Sequence, residues 1–232
     1  MNDANPAAAE KPADGSGFDA EASPSLWRLL GRGSRSPTTD LSAADANASP
    51  TLQHPAQQVS WYDASMYCNW LSRREGLKPC YEWNVAKKKS DISLVLIPGS
   101  TGYRLLHEAE WEYACRAGTL TEFSSGDDET LLVDYCQMYP SELTSVCGEK
   151  LPNAWGLHDT HGNVWEWCWD KQSTSDFLRV VRGGSFFGEE RWVRSSRRDC
   201  LPPDYRHAHY GFRIAMTLHP VPLIALPPAA GE

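Results

Sequence analysis

Several groupings of side chains in this sequence have the types and spacing to do chemistry. Glu108 and Glu112 stand one helical turn apart, as a general acid and base could. Arg104 and Arg116 lie at matching distances along the same segment, so ion pairing is the expected use of both carboxylates. His207-Ala208-His209 offers two imidazoles, but without a third ligand or a carboxylate beside them the pair is an incomplete metal site. Arg191, Arg194, Arg197, Arg198 and Arg206 could hold phosphate, although bonding to framework carbonyls and carboxylates is the expected role. The seven cysteines (Cys68, Cys80, Cys115, Cys136, Cys147, Cys168, Cys200) are odd in number and lack CxxC spacing. That argues against a zinc site and against a secreted disulfide framework. They read as small buried hydrophobes of a reducing compartment, with Cys136 and Cys147 the expected pair if any disulfide forms.

The element that must position such groups is Leu151 to Asp170, LPNAWGLHDTHGNVWEWCWD. Trp165, Trp167 and Trp169 alternate with Glu166 and Cys168, the period of a strand with one buried face. His158 to Asn163 is turn chemistry, with Gly162 free to take positive φ. Upstream, Ser60 caps a predicted helix that has Asp63 in its first turn and ends at Gly76, with Ala64, Tyr67, Cys68 and Leu71 on one face. Cys80 to Trp83 reads as a short strand, Lys87-Lys88-Lys89 as a solvated turn and Ile92 to Ile97 as a buried strand. A second helix starts near Leu106 and closes at Gly118, and residues 119–150 are loop-rich.

A chain of 232 residues that is 41% hydrophobic can bury one sizeable domain. A net charge of −8 excludes general nucleic-acid binding. No apolar run approaches the roughly 18 residues of a membrane span. The first residues lack both a basic and an apolar region, so no signal peptide is visible and the compartment is cytoplasmic or unassigned. Residues 1–53 are Pro/Ala/Ser-rich and expected to be disordered, interrupted by a short sticky stretch at Leu26 to Leu30. Residues 54–218 form the expected domain, and residues 219–232 a Pro-rich tail.

Four ordered motifs carry a family resemblance: VSWYDASMYCNWLS (from Val59), GYRLLHEAEWEYACRAGT (from Gly102), PNAWGLHDTHGNVWEW (from Pro152) and RGGSF…GFRIAM (from Arg182). Together they resemble the formylglycine-generating-enzyme (sulfatase-modifying factor) type of C-type lectin fold domain. The resemblance implies an α+β, loop-rich fold with short strands and two helices. The further strands with which such domains normally begin are not recognisable ahead of Val59. Leu106-His107 replace the family's Pro-Thr at the second helix, which removes an N-cap at an expected cost of about 1 kcal/mol. By the same resemblance, Asp159 and Glu166 side chains with the Gly162 and Val164 carbonyls would hold a structural calcium ion; the alternative is that both carboxylates cap backbone N–H groups. The enzymes carry two copper-binding cysteines at positions that here are Gly188 and Val193, and neither supplies a thiolate, so no copper is expected.

The C-terminal motif is also similar to variable proteins of diversity-generating retroelements. Arg182 to Ser185, Arg194 to Ser196, Arg198 and Gly211 to Arg213 look like a fixed framework. Between them lie the expected ligand-binding positions Phe187, Gly188, Glu189, Trp192, Arg197, Asp199, Cys200, Leu201, Pro202, Tyr205, His207, Ala208 and His209. Adenine-directed change of an AAC codon reaches most of these residue types, but not Glu189 or Trp192. Aromatic and arginine side chains are what binding hot spots use. The expectation is a non-catalytic protein that binds an unknown protein or small ligand through a diversified surface at residues 186–210. The alternatives are an oxygen-dependent oxidoreductase of the formylglycine-generating type and a fixed-specificity regulatory module of a signalling protein.

Overall fold

The computed structural model describes residues 51–84, 93–138 and 143–217. The readings made for residues 1–50, for the Lys87 to Lys89 turn and for the tail at 219–232 lie outside these ranges.

Helix α1 (Trp61–Arg74) begins where the sequence places its cap. The Ser60 hydroxyl accepts from the Asp63 N–H at 3.1 Å, and the Asp63 carboxylate accepts from the Ser60 N–H at 2.8 Å. Its buried face is more polar than expected: Trp61, Ala64 and Cys68 share it with Ser65, Asn69 and Ser72, while Tyr67 and Leu71 flank it half-buried. The polar groups are tolerated because each is bonded. Asn69 exchanges two hydrogen bonds with the Tyr81 backbone, and the Ser72 hydroxyl accepts from the Tyr103 N–H at 2.8 Å.

Strands β1 (Tyr81–Asn84) and β2 (Ser93–Leu96) form an antiparallel hairpin. The described part of the apolar run, residues 93–97, is therefore on an edge strand and not a buried one, and Ile92 lies outside the described residues. Only Leu94 is inside, and Leu96 is 37% exposed, because a two-stranded ribbon covers one face. Strand β3 (Tyr103–Leu105) pairs antiparallel with β8 (Ile214–Met216). Helix α2 (Glu108–Arg116) follows β3, and a one-turn helix α3 (Leu132–Tyr135) lies in the segment read as loop. Strands β4 (Trp165–Gln172), β5 (Ser175–Arg182), β6 (Arg198–Leu201) and β7 (Tyr210–Gly211) form a sheet in the order β6-β5-β4-β7, with β7 parallel to β4.

The first four residues of β4 are buried on both sides, not one. Trp165 and Trp167 pack with Trp61, Tyr81, Leu105 and Val181, whereas Cys168 packs with Leu106, Trp111, Cys115 and Val180. The alternation thus separates two cores rather than core from solvent. A third cluster joins Phe123, Leu132, Cys136 and Val193.

The cap lost at His107 is supplied from elsewhere in the fold. Asp170 on β4 accepts from the Glu108 N–H at 2.6 Å, and Glu110 accepts from the His107 N–H at 2.8 Å. The helix carboxylates are ion-paired, but one partner differs from expectation. Glu112 meets Arg116 at 2.8 Å, whereas Arg104 takes Glu110 and Glu108 takes Arg198 at 2.8 Å. All seven cysteines are free thiols, the buried Cys136 and the exposed Cys147 included.

Candidate binding face and its framework

Part of the framework of the C-terminal motif is interior: Arg182 to Ser185, Ser195 and Gly211 are buried, whereas Ser196 and Arg198 are exposed. Arg182, 1% exposed, donates to the carbonyls of Ser195 and Ser196 at 2.9 Å each and pairs with Glu112 and, at 3.5 Å, Glu108. Gly184 has φ +77°, and a Cβ there would lie 2.6 Å from Val193 Cγ1 and 2.8 Å from the Trp192 carbonyl. The turn at 190–193 is thereby pressed directly on the end of β5. His161 fastens the same turn: its Nδ1 lies 2.7 Å from the Val193 carbonyl and its Nε2 accepts from the Ser124 N–H at 3.1 Å. That pattern requires a neutral ring with the proton on Nδ1, and burial lowers its pKa accordingly.

Around this framework, twelve of the thirteen expected ligand-binding positions reach the surface. Phe187, Glu189, Pro202, Tyr205 and His207 are exposed; Trp192, Arg197, Asp199, Cys200, Leu201, Ala208 and His209 are partly so. Gly188 is buried, where a side chain would meet the Ser185 carbonyl and Trp192. Rings at several of these positions form one row. Phe187 stacks on His209 at 5.6 Å between centroids, His209 meets His207 at 4.5 Å, and His207 stacks with Tyr205 at 6.3 Å. Burial, with His207 beside it, lowers the His209 pKa to about 4.

Strand alternation divides the β6 positions. Leu201 packs toward the tryptophan core, but Cys200 turns to the opposite core of Cys168 and Val180. Cys200 therefore does not join the row of rings.

The backbone carrying the face is held by groups outside it. The Pro203 carbonyl accepts from the Trp61 N–H at 3.0 Å, the His207 carbonyl from the Gln58 N–H at 3.2 Å, and the His209 carbonyl from the Trp165 N–H at 2.7 Å. Arg206 forks onto the Asp63 carboxylate at 2.8 and 2.9 Å. Sequence reasoning grouped Arg206 with the framework arginines without its partner. The shelf residue Tyr210, which meets Tyr205 at 5.5 Å, was missed; its place beside Gly211 in the final motif was the available signal.

The turn expected to hold calcium divides between two kinds of chemistry. Asp159, in the left-handed region at φ +57°, accepts from the Gly148 N–H at 2.8 Å through one oxygen. Its other oxygen, Oδ1, is buried and has no hydrogen-bond partner, and burial raises the carboxyl pKa. An acceptor with nothing to accept from fits a cation. Glu166 is already engaged: Arg213 donates to Oε1 at 2.6 Å, and Trp111 Nε1 donates to Oε2 at 2.6 Å. Arg213 Nη2 also reaches the His158 and Asp159 carbonyls at 3.2 Å. An ion at this turn would fit Asp159 and share Glu166 with a guanidinium.

At the positions matching the enzymes' cysteines, Gly188 is packed as described and Val193 lies fully buried in the third cluster. Residues 23–218 match the sulfatase-modifying factor enzyme 1-like domain family. The chain belongs to this family. It is 31% identical to the solved structure of Treponema denticola variable protein 1, with a TM-score of 0.65 over 71% of each chain. It is also 30% identical to the chaperone protein LppX of Paenibacillus barcinonensis and to the formylglycine-generating enzyme of Thermomonospora curvata, over 62% and 70% of this chain. The chain spans only 60% and 55% of those two relatives' lengths. The fold is the formylglycine-generating-enzyme type of C-type lectin fold, built from short mixed strands and few helices. Among the described residues no helix is long and apolar enough to cross a membrane.

Proposed function

We propose that this family member is a non-catalytic binding protein that presents a diversified surface, residues 186–210, on a fixed lectin-type scaffold. One observation carries the reading. Most side chains at the expected variable positions reach solvent, Gly188 and the inward-turned Cys200 apart, while the loops beneath them are held by Arg182, His161, Trp61 and Gln58 on the backbone and by Asp63 on Arg206, none of which belongs to that set. Such an arrangement lets side-chain identity change without touching what holds the loops. The 31% identity to a variable protein supports the same reading. The absence of a thiol at Gly188 and Val193 removes the soft ligands that copper chemistry would need. Calcium belongs to this proposal as a structural ion on Asp159, Glu166 and the Gly162 and Val164 carbonyls, where it would stiffen the turn and take no part in binding chemistry.

The test is amplicon sequencing of the codons for residues 182–216 across a population of the source organism. Substitutions confined to positions between the framework residues support the proposal. An invariant segment overturns it and leaves a fixed-specificity domain.

A further inference from the structure

Arg191, Trp192, Arg194, Ser196, Arg197 and Arg198 line an open cleft of about 590 Å³. Four arginines in one cleft are unusual in a chain of net charge −8. Three of them are neutralised within the fold. Arg191 meets Glu189 at 2.9 Å, Arg194 meets Glu122 at 3.0 Å, and Arg198 meets Glu108 at 2.8 Å. Arg197 differs: among the described residues no carboxylate lies within ion-pair distance of it. Its guanidinium lies 4.0 Å from the Trp192 ring centroid, and its Nε is buried with no hydrogen-bond partner.

A guanidinium held against an indole has already lost much of its rotamer freedom, and its fork is set to accept a planar or tetrahedral oxyanion. A guanidinium whose charge no carboxylate of the fold offsets is completed by an anion brought from outside. We propose that this cleft binds an oxyanion, a carboxylate or phosphate group of the ligand, on Arg197 against Trp192. The proposal rests on reading residues 186–210 as the binding face and names the chemistry that this copy's face selects. Arg194 and Arg198 build the wall, and residue 197 sets the sign of what enters.

The experiment uses the full chain labelled with 5-fluorotryptophan, the Trp192 fluorine resonance being assigned with Trp192→Phe. Sodium acetate and sodium phosphate are titrated separately at constant ionic strength. A saturable shift of the Trp192 resonance with either salt is expected, and the salt with the lower midpoint identifies the source as carboxylate or phosphate. Arg197→Gln should weaken the response by about tenfold or more, and Arg197→Lys, which keeps charge but loses the fork, by an intermediate factor. Unchanged resonances from the other tryptophans show that each variant is folded. No saturable shift with either anion, or the same midpoint in Arg197→Gln, overturns the cleft proposal. That failure is separable from failure of the diversified-face reading, which is decided by population sequencing alone.

Discussion

Replacing Arg182 by Met tests whether the framework carries the turn beneath the face. Methionine keeps most of the buried volume but removes the charge and every donor. The carboxylates are not orphaned, because Glu112 keeps Arg116 at 2.8 Å and Glu108 keeps Arg198 at 2.8 Å. The cost therefore stays below the upper end of the roughly 3–5 kcal/mol of a broken buried pair. What is lost is the donor to two carbonyls, Ser195 at 2.9 Å and Ser196 at 2.9 Å, the first belonging to a fully buried residue. Losing these bonds, one to a buried carbonyl, should cost about 2–4 kcal/mol in all. In a domain of this size that lowers Tm by about 5–15 °C. Urea unfolding followed by tryptophan fluorescence, with calorimetry alongside, measures it. Arg191→Met is the comparison, because Arg191 and its partner Glu189 are 66% and 59% exposed. That exposed pair should contribute at most about 0.5 kcal/mol. A loss below about 1 kcal/mol for Arg182→Met would refute the argument that this arginine holds the 194–196 turn.

Two further outcomes follow from the site. His209 has its folded pKa lowered to about 4, so the folded state binds fewer protons than the unfolded chain between that value and 6.5. Its contribution is present above pH 6.5 and lost as pH falls toward 4; discounted for a half-exposed ring, it amounts to about 1–2 kcal/mol. Stability measured across that window should fall less in His209→Gln, and identical slopes would count against the burial argument. Calcium in about hundredfold excess over its Kd should stabilise the chain by about 2.7 kcal/mol, raising Tm by several degrees. Asp159→Asn should remove that rise, and a wild-type Tm indifferent to calcium would dismiss the ion.

The readable parts of this molecule were those governed by local chemistry. Ser60 and Asp63 declare a helix start because both halves of the capping box lie within four residues. The Trp165, Trp167, Trp169 period declares β4. What escaped depends on partners distant in sequence. That both faces of β4 are buried follows from where α1 and α2 land, which alternation cannot convey. The cap on α2 comes from Asp170, 62 residues away, and Glu166 finds Arg213 across 47. The run at 92–97 looked interior because composition does not reveal that its sheet has only two strands. Between the framework residues, Phe187, Glu189, Pro202, Tyr205 and His207 are exposed while Gly188 is buried, a division that a run of unlike residues does not convey. The division of β6, with Cys200 turned inward, needed the strand itself.

The loop stitched to the start of α1 has a kinetic consequence. Arg206 and Asp63 are 143 residues apart, and β8 closes on β3 only after Ile214 has been made. Contacts of that span require the chain's ends to meet before any energy is returned, which places folding in the slow, millisecond-to-second class. The tie that fixes the 202–210 surface to α1 therefore forms only when residues 143 apart in the chain have met.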